Sequence, residues 1–183
     1  LVMEFYNARR KQLLEVNPNE ADFALAKLEE TFDVEIVTQN VDDLHERAGS
    51  TKILHLHGEL RKARSTANPS LIYEIDGWEL KMGDKCAKGS QLRPHIVWFG
   101  EPVDEFSRAI EIVKTADLLM VIGTSLVVYP AAGLIHYPRR GIPKYLIDPG
   151  APSFSPEDNL TFIKEKAAKA VPELVGQLLA NGF

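Results

Sequence analysis

Cysteine is almost missing from this chain of 183 residues, with Cys86 its single thiol. One thiol closes no intramolecular disulfide, which excludes a stapled secretory scaffold and is compatible with a reducing cytoplasm. Long apolar runs are missing too. None approaches the roughly 20 residues of a helical membrane span, and no charged-then-apolar leader opens the sequence. A cytoplasmic protein with no membrane partner is therefore expected. Basic charge is in deficit: 21 Lys and Arg face 26 Asp and Glu, a formal net charge of −5. Without a dense basic cluster the chain is not built to follow a phosphate backbone, so nucleic acid is not an expected partner. What remains is an ordinary globular balance, 45% hydrophobic and 26% charged. That suffices for one core plus a small insert, and a monomer is expected.

The apolar periodicity lays out an alternation of elements. Val2, Phe5, Tyr6, Leu13 and Leu14 recur at helical spacing between residues 1 and 16, Asn17-Pro18-Asn19 interrupts, and residues 21–31 form a second helical pattern. Residues 34–38 are short and β-branched, and a strand there runs into the polar group Gln39, Asn40, Asp42 and Asp43. A second apolar stretch, 53–56, runs into His57-Gly58. Residues 61–91 lose clear periodicity and read as an irregular insert. Strand patterns return at 95–99, 118–122 and 144–147, with helices at 103–115 and from 131. The tail from 159 to 179 reads as mostly helical, interrupted near Pro172. Strands alternating with helices predict an α/β fold of the Rossmann-like, doubly wound kind, with a mostly parallel sheet and ligands beyond the carboxyl ends of its strands. Residues 1–60 and 92–183 would form that domain, and 61–91 the insert.

Four ordered motifs carry chemistry: TQNVDDLHERAGS (38–50) with LHLHGEL (54–60), LRPHIVWFGEP (92–102) and GTSLVVYPAAGLI (123–135). Together they closely resemble the sirtuin signature, and their order makes the match far more specific than any one of them. The resemblance implies NAD-dependent removal of acyl groups from protein lysines, yielding nicotinamide and 2′-O-acyl-ADP-ribose. NAD is then a co-substrate and acyl-lysine peptides or proteins are the partners. An imidazole titrates near neutral pH, and Gly58 lets backbone and substrate approach, so His57 is the expected general base. By resemblance, Gln39 would touch the ribose, and Asn40 and Asp42 the nicotinamide side. Gly123, Thr124 and Ser125 would hold phosphate and ribose oxygens, and Asp148, where the family more often has Asn, the adenosine ribose. The stretches 95–101 and 127–130 resemble the two edges between which sirtuins clamp an extended peptide. Val97, Trp98, Phe99, Gly100, Glu101, Val103, Val127 and Val128 are the substrate-contact candidates, with Phe99, Val103 and Val128 lining the lysine tunnel. As bare residue types, these groups also suit a core, a cap or a polar turn.

Tyr6 and Arg9 stand three apart on one helical face. They match the Tyr-x-x-Arg pair of class III sirtuins, which grips the distal carboxylate of succinyl-, malonyl- or glutaryl-lysine. Two departures accompany the resemblance. Sirtuins usually hold a structural zinc in two CxxC pairs. Here Ser65, Asn68, Lys85 and Lys88 fall at the ligand positions, so no metal is expected, and the insert would be held by Leu71, Ile72, Tyr73 and Trp78. The family's Gly-Ala-Gly phosphate loop is also absent from the sequence, which opens at Leu1 inside a helical pattern. We expect a segment upstream that completes the first βα unit. Two rival readings stay open at this point: an inactive module that binds ADP-ribose or acyl-peptide, and an NAD hydrolase or ADP-ribosyltransferase on the same scaffold.

Overall fold

The computed structural model describes residues 1–150 and 159–182. By its contacts the chain divides into two compact units. One comprises Leu1–Asn17, Thr38–Leu44 and His55–Pro102; the other comprises Pro18–Val37, His45–Leu54 and Val103–Phe183.

The second unit is built on a parallel sheet. Strands β6 (Leu119–Ile122), β7 (Lys144–Ile147) and β8 (Leu160–Ile163) lie in that order, paired Leu119 with Lys144 and Ile147 with Ile163. Helix α2 (Glu20–Leu28) starts in a capping box. The Asn19 side chain accepts from Ala21 N at 2.8 Å, and Asn19 N donates to Asp22 Oδ2 at 2.8 Å. It packs on α5 (Ala167–Asn181), and Leu25 and Leu28 join Ile147, Val171, Leu174 and Val175 in one apolar core. Strand β8 was not anticipated: Leu160 and Ile163 are half-buried while Thr161 and Phe162 are exposed, a pattern too short to separate from helix by periodicity. Nor does Pro172 interrupt α5. It leaves the Ala168 carbonyl without its helical donor, but Val171, on its N-terminal side, and Leu174 and Val175, beyond it, stay buried and keep the helix continuous. Helix α4 (Phe106–Thr115) and a 3₁₀ helix (Ala131–His136) complete this unit, the latter where the sequence suggested a helix.

The first unit holds helix α1 (Val2–Leu13) and an antiparallel sheet of β4 (Ile72–Glu74), β3 (Gly58–Ser65) and β5 (Leu92–Ile96), in that spatial order. The stretch expected to be irregular therefore contributes sheet structure, and residue 60 lies within β3. Pairing shifts between Glu59–His95 and Ala63–Pro94, and Pro94 is tolerated because β5 is an edge strand beside that bulge. The residues that seal the insert are Ala63, Ile75 and Leu80, all buried. Of those anticipated, Ile72 and Trp78 are exposed, and Leu71 and Tyr73 are only half-buried.

Polar bonds fasten α1 to this sheet. Asn7 exchanges two hydrogen bonds with the Leu80 backbone, each 3.0 Å. Arg10, fully buried, donates to Leu60 O at 2.5 Å, Trp78 O at 2.7 Å and Asn7 Oδ1 at 2.9 Å. No described carboxylate pairs with it, and burial, then the nearby Arg61 charge, lowers its pKa to about 10. It stays charged at neutral pH, held through Nε and Nη1 by carbonyl oxygens, while its buried Nη2 bonds no described residue. Strands β1 (Ile36–Thr38) and β2 (Ile53–His55) form a two-stranded pair, and α3 (Leu44–Ala48) lies between them in sequence.

Candidate active site

Thr38 ends β1 buried, and the chain then leaves the strand in a turn fixed by short polar side chains. Thr38 Oγ1 accepts from Asn40 N at 3.1 Å, and Asp42 Oδ1 accepts from Leu44 N at 3.2 Å, capping α3. The side-chain amides of Gln39 and Asn40 bond to no other described residue, so both are uncommitted donors and acceptors beside the strand end. Half-buried His57 places Nδ1 at 3.2 Å from Gln39 O. A carbonyl only accepts, so this contact puts the proton on Nδ1 and leaves the Nε2 lone pair available as a base. The His57 carbonyl accepts from Val97 N at 2.9 Å, bringing the segment beyond β5 against the histidine. Gly58 makes this close approach possible. Its φ is +81°, and a Cβ there would lie 2.0 Å from His95 O, inside the backbone of β5. Gln39, Asn40, Asp42, His57 and Val97 thus gather in one unit. His55 Nδ1, 3.1 Å from Asn40 O, steadies the same turn.

The segment Val97–Glu101 is not a strand: β5 stops at Ile96, and the chain turns through Gly100 at φ +88°. Phe99 is fully exposed, at 101% of its reference area, and is no core residue. Glu101 holds the turn. Its carboxylate accepts from Arg93 Nη1 at 2.6 Å and Nη2 at 3.1 Å, from Arg64 Nη2 at 3.0 Å and from Trp98 N at 2.9 Å. The Arg93 hydrogen bond, against a smaller opposing effect of burial, draws its pKa down to about 2. On α1, Tyr6 is half-buried and stacks on Trp98, with ring centroids 6.5 Å apart and planes at 22°. Arg9 is exposed and pairs with no described carboxylate.

In the other unit, Gly123 follows β6 at φ +63°, and its N–H donates to Ile147 O at 2.8 Å. Thr124 Oγ1 accepts from Leu126 N at 3.1 Å, while Ser125 is exposed and its hydroxyl bonds no described residue. Val127 and Val128 are exposed at 59% and 42%, not strand residues, and Val103 is half-buried ahead of α4. Asp148 ends β7 with Oδ1 accepting from Gly150 N at 2.7 Å, so a turn already occupies one of its oxygens.

The positions where thiolates would ligate zinc have other work. Ser65 Oγ accepts from Ala67 N and Asn68 N, each at 3.2 Å, and Asn68 Oδ1 caps Ser70 N at 3.1 Å. Cys86 is buried, its thiol drawn below the usual range by a hydrogen bond with Ser65, opposed by burial, and by contacts with Lys88 and Ser90. One thiol among hydroxyls, an amide and lysines does not fit a tetrahedral zinc. Spacing alone did not single out Arg10, Asn7, Arg64 or Arg93. The available signal was weak, an Asn and an Arg three apart on α1 and a single arginine in the LRPH stretch before WFGE.

The Sir2 family profile matches residues 2–130, and the chain belongs to that family. It is 53% identical over 179 residues to an NAD-dependent protein deacylase of Bacteroides thetaiotaomicron, covering 95% of this chain and 76% of that protein. A Helicobacter pylori protein of the same description is 52% identical over 180 residues, covering 97% and 77%. Among solved structures, a Sir2 homologue in complex with NAD superposes with a TM-score of 0.88 at 38% identity, over 99% of this chain and 72% of that one. A Sir2–p53 peptide–NAD⁺ complex matches with a TM-score of 0.68 at 32% identity, over 93% and 72%. The Rossmann-like α/β fold follows from these likenesses.

Proposed function

We infer that this chain is an NAD-dependent protein-lysine deacylase that releases nicotinamide and transfers the acyl group to ADP-ribose. The observation that carries the reading is the His57–Gln39 contact. It orients the imidazole with Nε2 as the base, next to two amide side chains that bond no described residue. NAD is consumed as co-substrate, supplying the ribose hydroxyl that takes the acyl group. His57 Nε2 accepts the proton from that hydroxyl. Gln39 is assigned to the ribose, Asn40 and Asp42 to the nicotinamide side, Gly123, Thr124 and Ser125 to phosphate and ribose oxygens, and Asp148 to the adenosine ribose through its second carboxylate oxygen. Val97, Trp98, Phe99, Gly100 and Glu101 supply a peptide contact in one unit, and Val103, Val127 and Val128 the contacts in the other.

For the acyl group, Tyr6 and Arg9 form the grip for a distal carboxylate, supported by the absence of any described carboxylate paired with Arg9. Arg9→Met should then lower succinyl-lysine turnover far more than acetyl-lysine turnover; equal loss on both would remove this assignment. A monomer in the cytoplasm is the proposed setting, in keeping with the lone thiol. Among the described residues no helix is long and apolar enough to cross a membrane. Incubating the full-length protein with NAD and acetyl- or succinyl-lysine peptide should give deacylated peptide and acyl-ADP-ribose. Nicotinamide release without peptide turnover would instead indicate NAD hydrolysis, and no release a binding module.

A further inference from the structure

Tyr6 must be held still if its phenol is to meet a carboxylate at the end of a flexible acyl chain, and α1 alone does not hold it. Its ring lies against Trp98. The indole is not fixed through its own donor, because Trp98 Nε1 is buried and bonds no described residue. One side of the indole rests with Tyr6 on the apolar cluster of Leu13, Leu60 and Ile96, and its polar anchor is Arg93: the guanidinium carbon stands 3.4 Å from the ring centroid, in direct cation–π contact. Arg93 is itself immobilised. Its side chain is only 17% exposed. Both terminal nitrogens bond Glu101, and Nη2 also donates to Ile96 O at 2.9 Å. Arg64, 12% exposed, bonds the same carboxylate, so two guanidinium charges face one carboxylate and one positive charge is left uncompensated beside the indole. His95, Glu59 and Lys62 are the other charged or titratable groups near this cluster, and Glu59 pairs with Lys62 at 2.9 Å.

We propose that Arg93 is a positioning residue for acyl selection: clamped by Glu101, it fixes the Trp98 indole and, through it, the Tyr6 ring of the carboxylate grip. This rests on the assignment of Tyr6 and Arg9 to acidic acyl groups. A planar guanidinium suits this clamp best, since it lies flat on an indole while bonding both carboxylate oxygens through separate nitrogens, which the single nitrogen of an ammonium cannot do. Arg93→Leu should therefore loosen Tyr6 and weaken recognition of the distal carboxylate, and Arg93→Lys should do so in part.

The test measures kcat and KM of the full-length protein on succinyl-lysine and acetyl-lysine peptides of one sequence, for the parent, Arg93→Leu, Arg93→Lys and Arg9→Met. Arg93→Leu is expected to raise KM for the succinyl peptide about tenfold, the scale of one cation–π contact. Because Arg93 also anchors the Glu101 and Trp98 peptide contacts, the acetyl KM should rise as well but by less than the succinyl KM, with kcat within about threefold and Arg93→Lys between. The chain has two tryptophans, Trp78 and Trp98. With Trp78, and any tryptophan outside these 183 residues, replaced by Phe, emission reports Trp98 alone, and the Arg93 variants should shift it and make it more open to acrylamide quenching. If Arg93→Leu does not fold, Arg93→Lys carries both readouts. Equal KM changes on the two peptides, or an unchanged Trp98 signal, while Arg9→Met still loses succinyl-lysine selectively, would overturn the role of Arg93. If Arg9→Met is itself unselective, the assignment of Tyr6 and Arg9 fails, and the present proposal fails with it.

Discussion

His57 and Gly58 illustrate how two adjacent residues divide one task. The imidazole needs its Nδ1 proton held by Gln39 O, and the chain can pass His95 only without a Cβ at position 58. Gly58→Ala combines a left-handed backbone with a 2.0 Å clash against a carbonyl oxygen. We expect a stability loss above about 3 kcal/mol, or failure to fold, read as a fall in urea midpoint. Glu101 gives a pH-dependent prediction. Its carboxyl is held at about 2, against 4.5 for an ordinary glutamate, so the folded state binds the proton less readily than the unfolded chain. The stabilisation is complete above about pH 4.5 and is lost as pH falls from there towards about 2, a contribution of up to about 3 kcal/mol. Urea midpoints at about pH 6 and about pH 3 should differ less in Glu101→Gln than in the parent. The roles of these residues were legible very unevenly. His57 and Gly58 stand in a recognisable motif, whereas Glu101, expected from the resemblance to contact peptide, gave no sign in the sequence of being the counter-ion of two arginines, which only the β3–β5 pairing brings to it.

At the scale of elements, the sequence pattern located β7 to the residue and α1 closely, because their apolar spacing is unambiguous. It erred where packing overrides local preference. Helix α5 runs through Pro172, since burial of Val171, Leu174 and Val175 outweighs one missing hydrogen bond and the ring's crowding of the previous turn. The same helix carries Gly176, exposed and with open space where a Cβ would go. Gly176→Ala should therefore stabilise the protein by about 0.5–1 kcal/mol, through lower unfolded-chain entropy and higher helix propensity, visible as a higher thermal midpoint. No gain would mean that the helix does not limit stability. Residues 61–91 hid their strands because β3 is bulged and β4 spans three residues, leaving no run of alternation long enough to read.

At the scale of the molecule, two compact units carry separate groups of candidate site residues: His57, Gln39, Asn40, Tyr6 and Arg9 in one, and the Gly-Thr-Ser turn and Asp148 in the other. The first unit does without zinc thiolates. Its substitutes are the apolar set of Ala63, Ile75 and Leu80, and the bonds of Asn7 and Arg10 to Leu80, Leu60 and Trp78. Elemental analysis should therefore find no stoichiometric zinc, and a chelator should leave the thermal midpoint unchanged; bound zinc or a lowered midpoint would contradict this. The central claim is that His57 Nε2 serves as the base of an NAD-dependent deacylation. It is tested most directly by following acyl-ADP-ribose formation from NAD and an acyl-lysine peptide in the full-length protein and its His57→Ala variant. The account predicts acyl-ADP-ribose in step with deacylated peptide for the parent, and a fall of about 10²–10⁴-fold for the variant with NAD binding kept. An undiminished rate in His57→Ala would contradict it.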